Sequence, residues 1–237
     1  MFPSFWDTLI NTNSFSCFPV DLTPGAIISN YNYIPFPIIQ GYSAYTSKLD
    51  AMGADFFSHK EKSPMYIIIG GDAIEQRNII TDTPQTWNAI FQNYSALEKT
   101  SKRILMKKKP YCKSPINVCP LLNGNDITIG EWHDIPTISS NQFVSIYWKP
   151  SFKGKLWKLF YRDTQYSLSL QYEDGTIYRM RIIPELLQGP IPLSKIPPQN
   201  QINTIFENRK IVKIKLNAND QTRMQASAKI KFYKEEK

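Results

Sequence analysis

The second half of the chain alternates apolar and polar residues with a period of two. Neighbouring side chains of a β-strand point to opposite faces of a sheet, so this period gives each strand one apolar face. Five segments carry it, with apolar positions Val144, Ile146 and Trp148; Tyr166, Leu168, Leu170 and Tyr172; Tyr178, Met180 and Ile182; Val212, Ile214 and Leu216; and Ala228, Ile230 and Phe232. Asp174-Gly175 is a hairpin signal between the second and third segments. Residues 125–237 therefore predict an antiparallel β-sandwich of jelly-roll-like type.

The first half mixes short strands with amphipathic helices. Strands are predicted at Phe15–Leu22, Met65–Ile69 and Arg103–Lys107. One helix is predicted after the N-cap Thr46, although Gly53 within it costs about 1 kcal/mol relative to alanine. A second begins at the N-cap Thr83 and has an apolar stripe at Trp87, Ile90, Phe91, Tyr94 and Leu97. This order predicts a small α/β layer over residues 1–110, joined by a Pro-rich linker at 111–124 to the β-sandwich of 125–237. The predicted fold class is α+β.

Charge adds a possible partner class. The 237 residues carry a net charge of +8. A basic surface could meet anionic lipid, an acidic glycan or nucleic acid, or it could be a solvated lysine-rich face. No nucleic-acid-binding signature is present, so no nucleic-acid partner is predicted. No apolar run reaches the ~18–20 residues that cross a bilayer, so the chain as given is expected to be soluble.

Cysteine and histidine are scarce. Cys112 and Cys119 could close a small disulfide or remain thiols. His59 and His133 are the two histidines, which makes a Cys/His zinc site improbable. The sequence predicts no metal and no cofactor.

Motifs for catalysis are also missing. The chain has no nucleophile elbow, no phosphate-binding loop and no dinucleotide fingerprint. Paired carboxylates are the usual machinery of glycoside chemistry, and Asp72 with Glu75 or Asp21 is the available pair. A carbohydrate-active enzyme using that pair is the alternative hypothesis, and no catalytic residue is assigned otherwise.

Two groups of residues are candidate binding sites. The first is the turn that contains Gln40, Tyr42, Ser43 and Tyr45, which could hydrogen-bond a polar ligand and stack on a sugar ring. Its tyrosines could instead cover a sheet edge. The second is a basic and aromatic patch in the β half, where an outward arginine could also simply be solvated; its members are Trp148, Arg162, Arg179 and Arg181.

The segment Gln40-Gly41-Tyr42-Ser43-Ala44-Tyr45-Thr46 resembles a pattern in large uncharacterised bacterial polytopic membrane proteins of glycosyltransferase-like type. The resemblance continues at Asp72 and Arg77, which it adds to the ligand-binding candidates. It extends through the second half in Gly130-Glu131-Trp132, Lys149-Pro150-Ser151, Gly154-Lys155-Leu156 and Gly189-Pro190. Phe36 and Gly41 depart from the pattern, where the family has Arg and Ser.

The resemblance implies a soluble C-terminal region on the extracytoplasmic face of a bacterial membrane, attached through a transmembrane part that is missing here. The catalytic loops of such proteins belong to that missing part. The leading hypothesis is therefore a non-catalytic accessory domain of a cell-envelope membrane protein. Its expected partner is a glycan or a neighbouring envelope protein.

Overall fold

A computed structural model describes twelve stretches of the chain: residues 4–19, 31–38, 46–70, 75–111, 118–121, 125–136, 142–149, 151–160, 165–197, 204–207, 209–220 and 227–235. Helices and strands within them form a mixed α+β architecture. This confirms the predicted fold class.

The first half is built on a four-stranded sheet. Its strands are β1 (Phe15–Pro19), β2 (Tyr66–Gly70), β3 (Tyr94–Lys99) and β4 (Arg103–Lys108), in the order β1-β2-β4-β3. β1 runs parallel to β2, and the other pairs are antiparallel. Every residue of β2 is buried, because both faces of the sheet are covered. Helix α1 (Ser4–Thr12) covers one face with Trp6 and Ile10.

The opposite face of this sheet packs against two helices, α2 (Ser47–Ser58) and α4 (Pro84–Asn93), with the short α3 (Ile79–Asp82) before α4. Thr46 caps α2 as predicted, because its hydroxyl accepts the Leu49 N–H. Thr83 is the N-cap residue of α4, but its side chain makes no cap hydrogen bond within the described structure. Asp50 of α2 replaces it: its carboxylate accepts the Gln85 and Thr86 backbone N–H groups, each at 2.9 Å.

The predicted extension of α4 to Leu97 is wrong. The helix ends at Asn93, and Tyr94 begins β3 with extended backbone angles. The Lys109 ammonium donates to the carbonyls of Phe91 and Gln92, at 3.0 and 2.8 Å, and so satisfies the end of the helix. Residues 94–99 instead pair with β4, which satisfies backbone groups that a further helical turn would have bonded within the helix.

The second half contains two antiparallel sheets. Their strands are β5 (Val118–Pro120), β6 (Asn125–Thr128), β7 (His133–Asp134), β8 (Gln142–Tyr147), β9 (Tyr166–Tyr172), β10 (Ile177–Ile182), β11 (Ile191–Pro192), β12 (Ile211–Ala218) and β13 (Ser227–Glu235). One sheet has the order β10-β9-β12-β7, and the other has the order β11-β8-β13-β5, with β6 also paired to β13. The predicted hairpin is present between β9 and β10, with Gly175 at a left-handed φ of 85°.

Three features of this half were not predicted. A helix, α5 (Phe152–Phe160), follows β8, and two 3₁₀ turns, Pro184–Gln188 and Leu193–Lys195, lie in the Pro-rich segment Pro184–Gln201, which the sequence predicts as a crossover between strands. Val118–Pro120 falls in the predicted linker, yet it pairs with β13.

Buried residues of the two halves form one contiguous apolar cluster. It includes Ile67, Trp87 and Ile90 from the first half and Leu168 and Ile230 from the second. The division into domains at residues 111–124 remains a prediction, but the core does not stop there.

Candidate functional site

Most of the sequence-predicted ligand turn lies outside the described residues. This applies to Gln40, Tyr42, Ser43 and Tyr45, and likewise to Asp72, Asp21 and Arg162. Cys112 lies outside them too, so its bridge to Cys119 remains a prediction.

Arg77 is described, and its side chain lies in the interior, with 1% of the residue exposed. Its guanidinium lies 3.5 Å from the buried carboxylate of Asp82. Burial raises the pKa of Asp82 to about 7, while the Arg77 charge opposes that rise. The pair supports α3, which begins at the buried N-cap Asn78. A ligand role for Arg77 remains a prediction; the structure shows its part in packing.

The segment around Arg77 joins the two halves. Arg77 forms a parallel β-bridge with Arg181 of β10, and the Arg181 N–H donates to the Gln76 carbonyl at 2.9 Å. Glu75 forms an ion pair with the Arg181 side chain. Glu75 and Gln76 have φ values of 54° and 60°, a left-handed conformation that is uncommon outside glycine. Glu75, the described member of the predicted carboxylate pairs, is thus part of this contact.

The predicted basic and aromatic patch is divided between two environments. Arg179 and Arg181 share one face of β10, and Arg179 Nε donates to Ser167 Oγ at 2.9 Å. Trp148 instead packs its ring against Tyr166, with centroids 5.4 Å apart, and against the apolar core. The structure therefore places the arginines at the surface and Trp148 in a packing position.

An opening among the described residues lies between the halves, and we call it the inter-half cleft. Its volume is about 570 Å³, within the range of small-molecule sites. The first half contributes Asn88, Phe91, Gln92, Tyr94, Ser95, Ala96, Lys109 and Tyr111, and the second contributes Phe143, Pro192, Ser194, Lys195 and Phe206. Neither half forms it alone.

One face of α4 supplies the polar wall of the cleft. Asn88, Phe91 and Gln92 are spaced at i, i+3 and i+4, so they project from the same side of the helix. Asn88 Nδ2 donates to the Pro190 carbonyl at 2.9 Å, which fixes the orientation of its amide. The other amide atom, Oδ1, is buried and has no hydrogen-bond partner among the described residues.

Three residues that line the cleft each have a buried side-chain oxygen that makes no hydrogen bond within the described structure. These oxygens are Asn88 Oδ1, Gln92 Oε1 and Ser194 Oγ. A buried polar atom left unsatisfied costs roughly 1–3 kcal/mol, and native proteins keep few of them. Three such residues around one opening are therefore candidates to turn toward a ligand that supplies the missing partners.

Aromatic rings and lysines complete the cleft. Phe91 and Phe206 meet edge to face, with centroids 5.7 Å apart. The Lys195 ammonium lies 5.6 Å from the Phe91 ring centroid, and Lys99 lies 5.7 Å from that of Phe206. The cleft thus offers apolar ring surface, hydrogen-bonding oxygens and positive charge together.

Sequence reasoning missed this site. Phe91 was assigned to a core stripe, and Ser194, Lys195 and Phe206 lie in or after a crossover that was considered only as a connection. The one usable signal was the polar pair Asn88 and Gln92, which lies at i, i+4 on one side of the second predicted helix. That pair does not reveal which strands it will face.

Among the described residues, no group of three or more His, Cys, Asp or Glu side chains could hold a metal ion. Nor does any described helix have the length and apolar character needed to span a membrane.

Comparison with protein-family models finds no match, and comparison with curated proteins finds none. Among solved structures, the chain is similar to one titled "Structural and functional characterization of Pseudomonas aeruginosa AlgX", with a TM-score of 0.34 and 7% identity. The alignment covers 94% of this chain and 48% of that one, so this chain spans about half of its length. The likeness is too low to assign a fold or a function.

Proposed function

We propose that the chain is a non-catalytic extracytoplasmic accessory domain of a cell-envelope membrane protein, and that its inter-half cleft binds a glycan. The observation that carries the binding role is that three residues lining the cleft have unsatisfied buried oxygens, Asn88 Oδ1, Gln92 Oε1 and Ser194 Oγ, beside half-buried aromatic rings. The extracytoplasmic placement rests on the sequence resemblance.

The chemistry of the cleft favours a sugar over other small molecules. Amide oxygens accept hydrogen bonds, so their natural partners are hydroxyl or N–H donors, of which a sugar ring has many. The apolar face of such a ring packs well on an aromatic side chain. Lys195 lies beside the Phe91 ring in the same cleft, so a carboxylate on the sugar would also be attracted. An acidic saccharide fits all three features.

The test is a screen of the purified chain on a glycan array that includes neutral sugars and uronic acids, followed by calorimetry with the strongest binder. Gln92→Met removes the amide and keeps the side-chain length. We expect it to weaken binding about tenfold, the equivalent of one lost hydrogen bond of ~1.4 kcal/mol. We also expect the free energy of unfolding to stay the same or rise by about 1 kcal/mol, because an unsatisfied buried acceptor is removed.

The matched control is Gln188→Met, the same substitution at an exposed position outside the cleft, which should leave affinity unchanged. Failure of every array sugar to bind contradicts the glycan assignment. So does a bound sugar whose affinity is the same in the Gln92→Met and wild-type proteins.

A further inference from the structure

Helix α5 presents an apolar face to solvent. Phe152, Leu156 and Phe160 are spaced at i, i+4 and i+8, and this spacing keeps them on one side of a helix. They are 78%, 45% and 78% exposed. Large apolar side chains grouped in this way on a protein surface mark an interaction site more often than scattered ones do.

The other side of α5 faces the protein. Gly154 is buried and Trp157 is half-buried. Positions 154 and 157 lie roughly 160° and 100° around the helix from Leu156, at about 100° per residue. Ser151 fixes the start of the helix, because its hydroxyl accepts the Gly154 N–H at 3.2 Å and its carbonyl accepts the Lys155 N–H at 2.9 Å. The phenylalanines are therefore exposed because the opposite side of the helix packs against the protein.

The segment that carries this face has charge of one sign. Residues 149–160 contain the lysines Lys149, Lys153, Lys155 and Lys158 and no acidic residue. Lys153 and Lys155 are exposed and flank the apolar face. Phenylalanine and leucine bordered by lysine are the composition of helices that lie in the interface of a bilayer, where the rings enter the acyl boundary and the ammonium groups meet phosphate.

We propose that α5 is a membrane-surface helix that docks the domain on anionic lipid. The charge complementarity between the lysines of residues 149–160 and lipid phosphate selects this occupant over an apolar protein groove, which would gain nothing from them. Each lysine near an anionic leaflet adds on the order of fivefold to the partition coefficient, and the two phenylalanines add the apolar contribution. The proposal is independent of the glycan assignment, since α5 supplies no residue that lines the inter-half cleft.

The test is co-sedimentation of the full chain with vesicles of phosphatidylcholine alone and of phosphatidylcholine with about one quarter phosphatidylglycerol. We expect binding to the anionic vesicles to be at least about tenfold stronger, and to weaken when salt is raised from about 0.1 M to about 0.5 M. The double variant Phe152→Ser/Phe160→Ser should reduce binding to the anionic vesicles about tenfold or more. Lys153→Gln/Lys155→Gln should reduce it by a similar factor.

Matched controls change exposed residues of the same kinds away from α5. They are Ile177→Ser on β10 and Lys229→Gln/Lys234→Gln on β13, and both should bind vesicles like the wild type. If the phenylalanine variant lowers the melting temperature, the lysine variant decides the result.

Three results overturn the proposal. The first is a wild type that fails to sediment with anionic vesicles. The second is that both α5 variants sediment as well as the wild type. The third is a dimer in sedimentation velocity that the phenylalanine variant dissociates, which assigns the face to a second copy of the chain.

Discussion

At Gly53 the tertiary structure reverses the expected effect of the glycine on stability. By helix propensity alone, this glycine weakens α2 by about 1 kcal/mol relative to alanine. In the fold, a Cβ added at this position would lie 2.4 Å from Thr86 Oγ1 and 2.8 Å from Phe36 Cζ. The glycine is therefore what allows α2 to approach α4 so closely.

Gly53→Ala is accordingly expected to destabilise the protein, by about 1–3 kcal/mol, because overpacking outweighs the gain in propensity. Urea denaturation measures the change in the free energy of unfolding. Ala51→Gly, at an exposed position of the same helix, is the control and should cost about 0.5–1 kcal/mol. If Gly53→Ala stabilises the chain, the close approach of the helices is contradicted.

At the scale of elements, the contact between α2 and α4 depends on one carboxylate. Asp50 is fully buried, and it accepts the Gln85 N–H, the Thr86 N–H and the Thr86 hydroxyl, each at 2.9 Å. These bonds satisfy backbone donors at the start of α4 that have no partner within the helix. The carboxylate also meets the positive end of the helix dipole.

Asp50→Ala should therefore cost about 2–4 kcal/mol, more than an ordinary exposed cap, because it leaves buried donors unsatisfied. Thermal unfolding followed by circular dichroism would show the loss as a lower midpoint. The same substitution at exposed Asp55 of α2 should change the midpoint little. Equal effects at the two positions would mean that the cap across the helices contributes nothing.

The strands that have one apolar and one polar face were predictable from the sequence. Period-two strands such as β9 and β13 are specified by their own alternation. The end of α4 was not, because Tyr94 and Leu97 fit a helical stripe equally well, and pairing with β4 decided the matter. Helix α5 was missed for a related reason: its apolar side faces outward, so its pattern does not indicate a packed core.

At the scale of the molecule, the two halves are held together by burial and by backbone contact. The apolar cluster runs through both, and the bridge of Arg77 to Arg181 adds hydrogen bonding between them. Because the core is shared, unfolding one half alone would expose the apolar core of the other half to water.

We therefore expect one cooperative unfolding transition rather than two. Single-tryptophan variants that keep either Trp87, in the first half, or Trp132, in the second, should report the same denaturant midpoint within error. A variant with all five tryptophans replaced by phenylalanine gives the signal baseline. Two separated midpoints would support independent domains divided at residues 111–124.

The sequence by itself determined the α+β class, the positions of most of the longer strands along the chain and the N-terminal boundaries of α2 and α4. Those features depend on periodicity and capping, which are local properties of the chain. The inter-half cleft and the exposed face of α5 were decided only in the tertiary structure. The cleft brings Asn88 and Gln92 opposite Ser194 and Phe206, about a hundred residues away, and no local pattern encodes which distant side chains a helix face will meet. Exposure depends likewise on what the rest of the fold leaves uncovered.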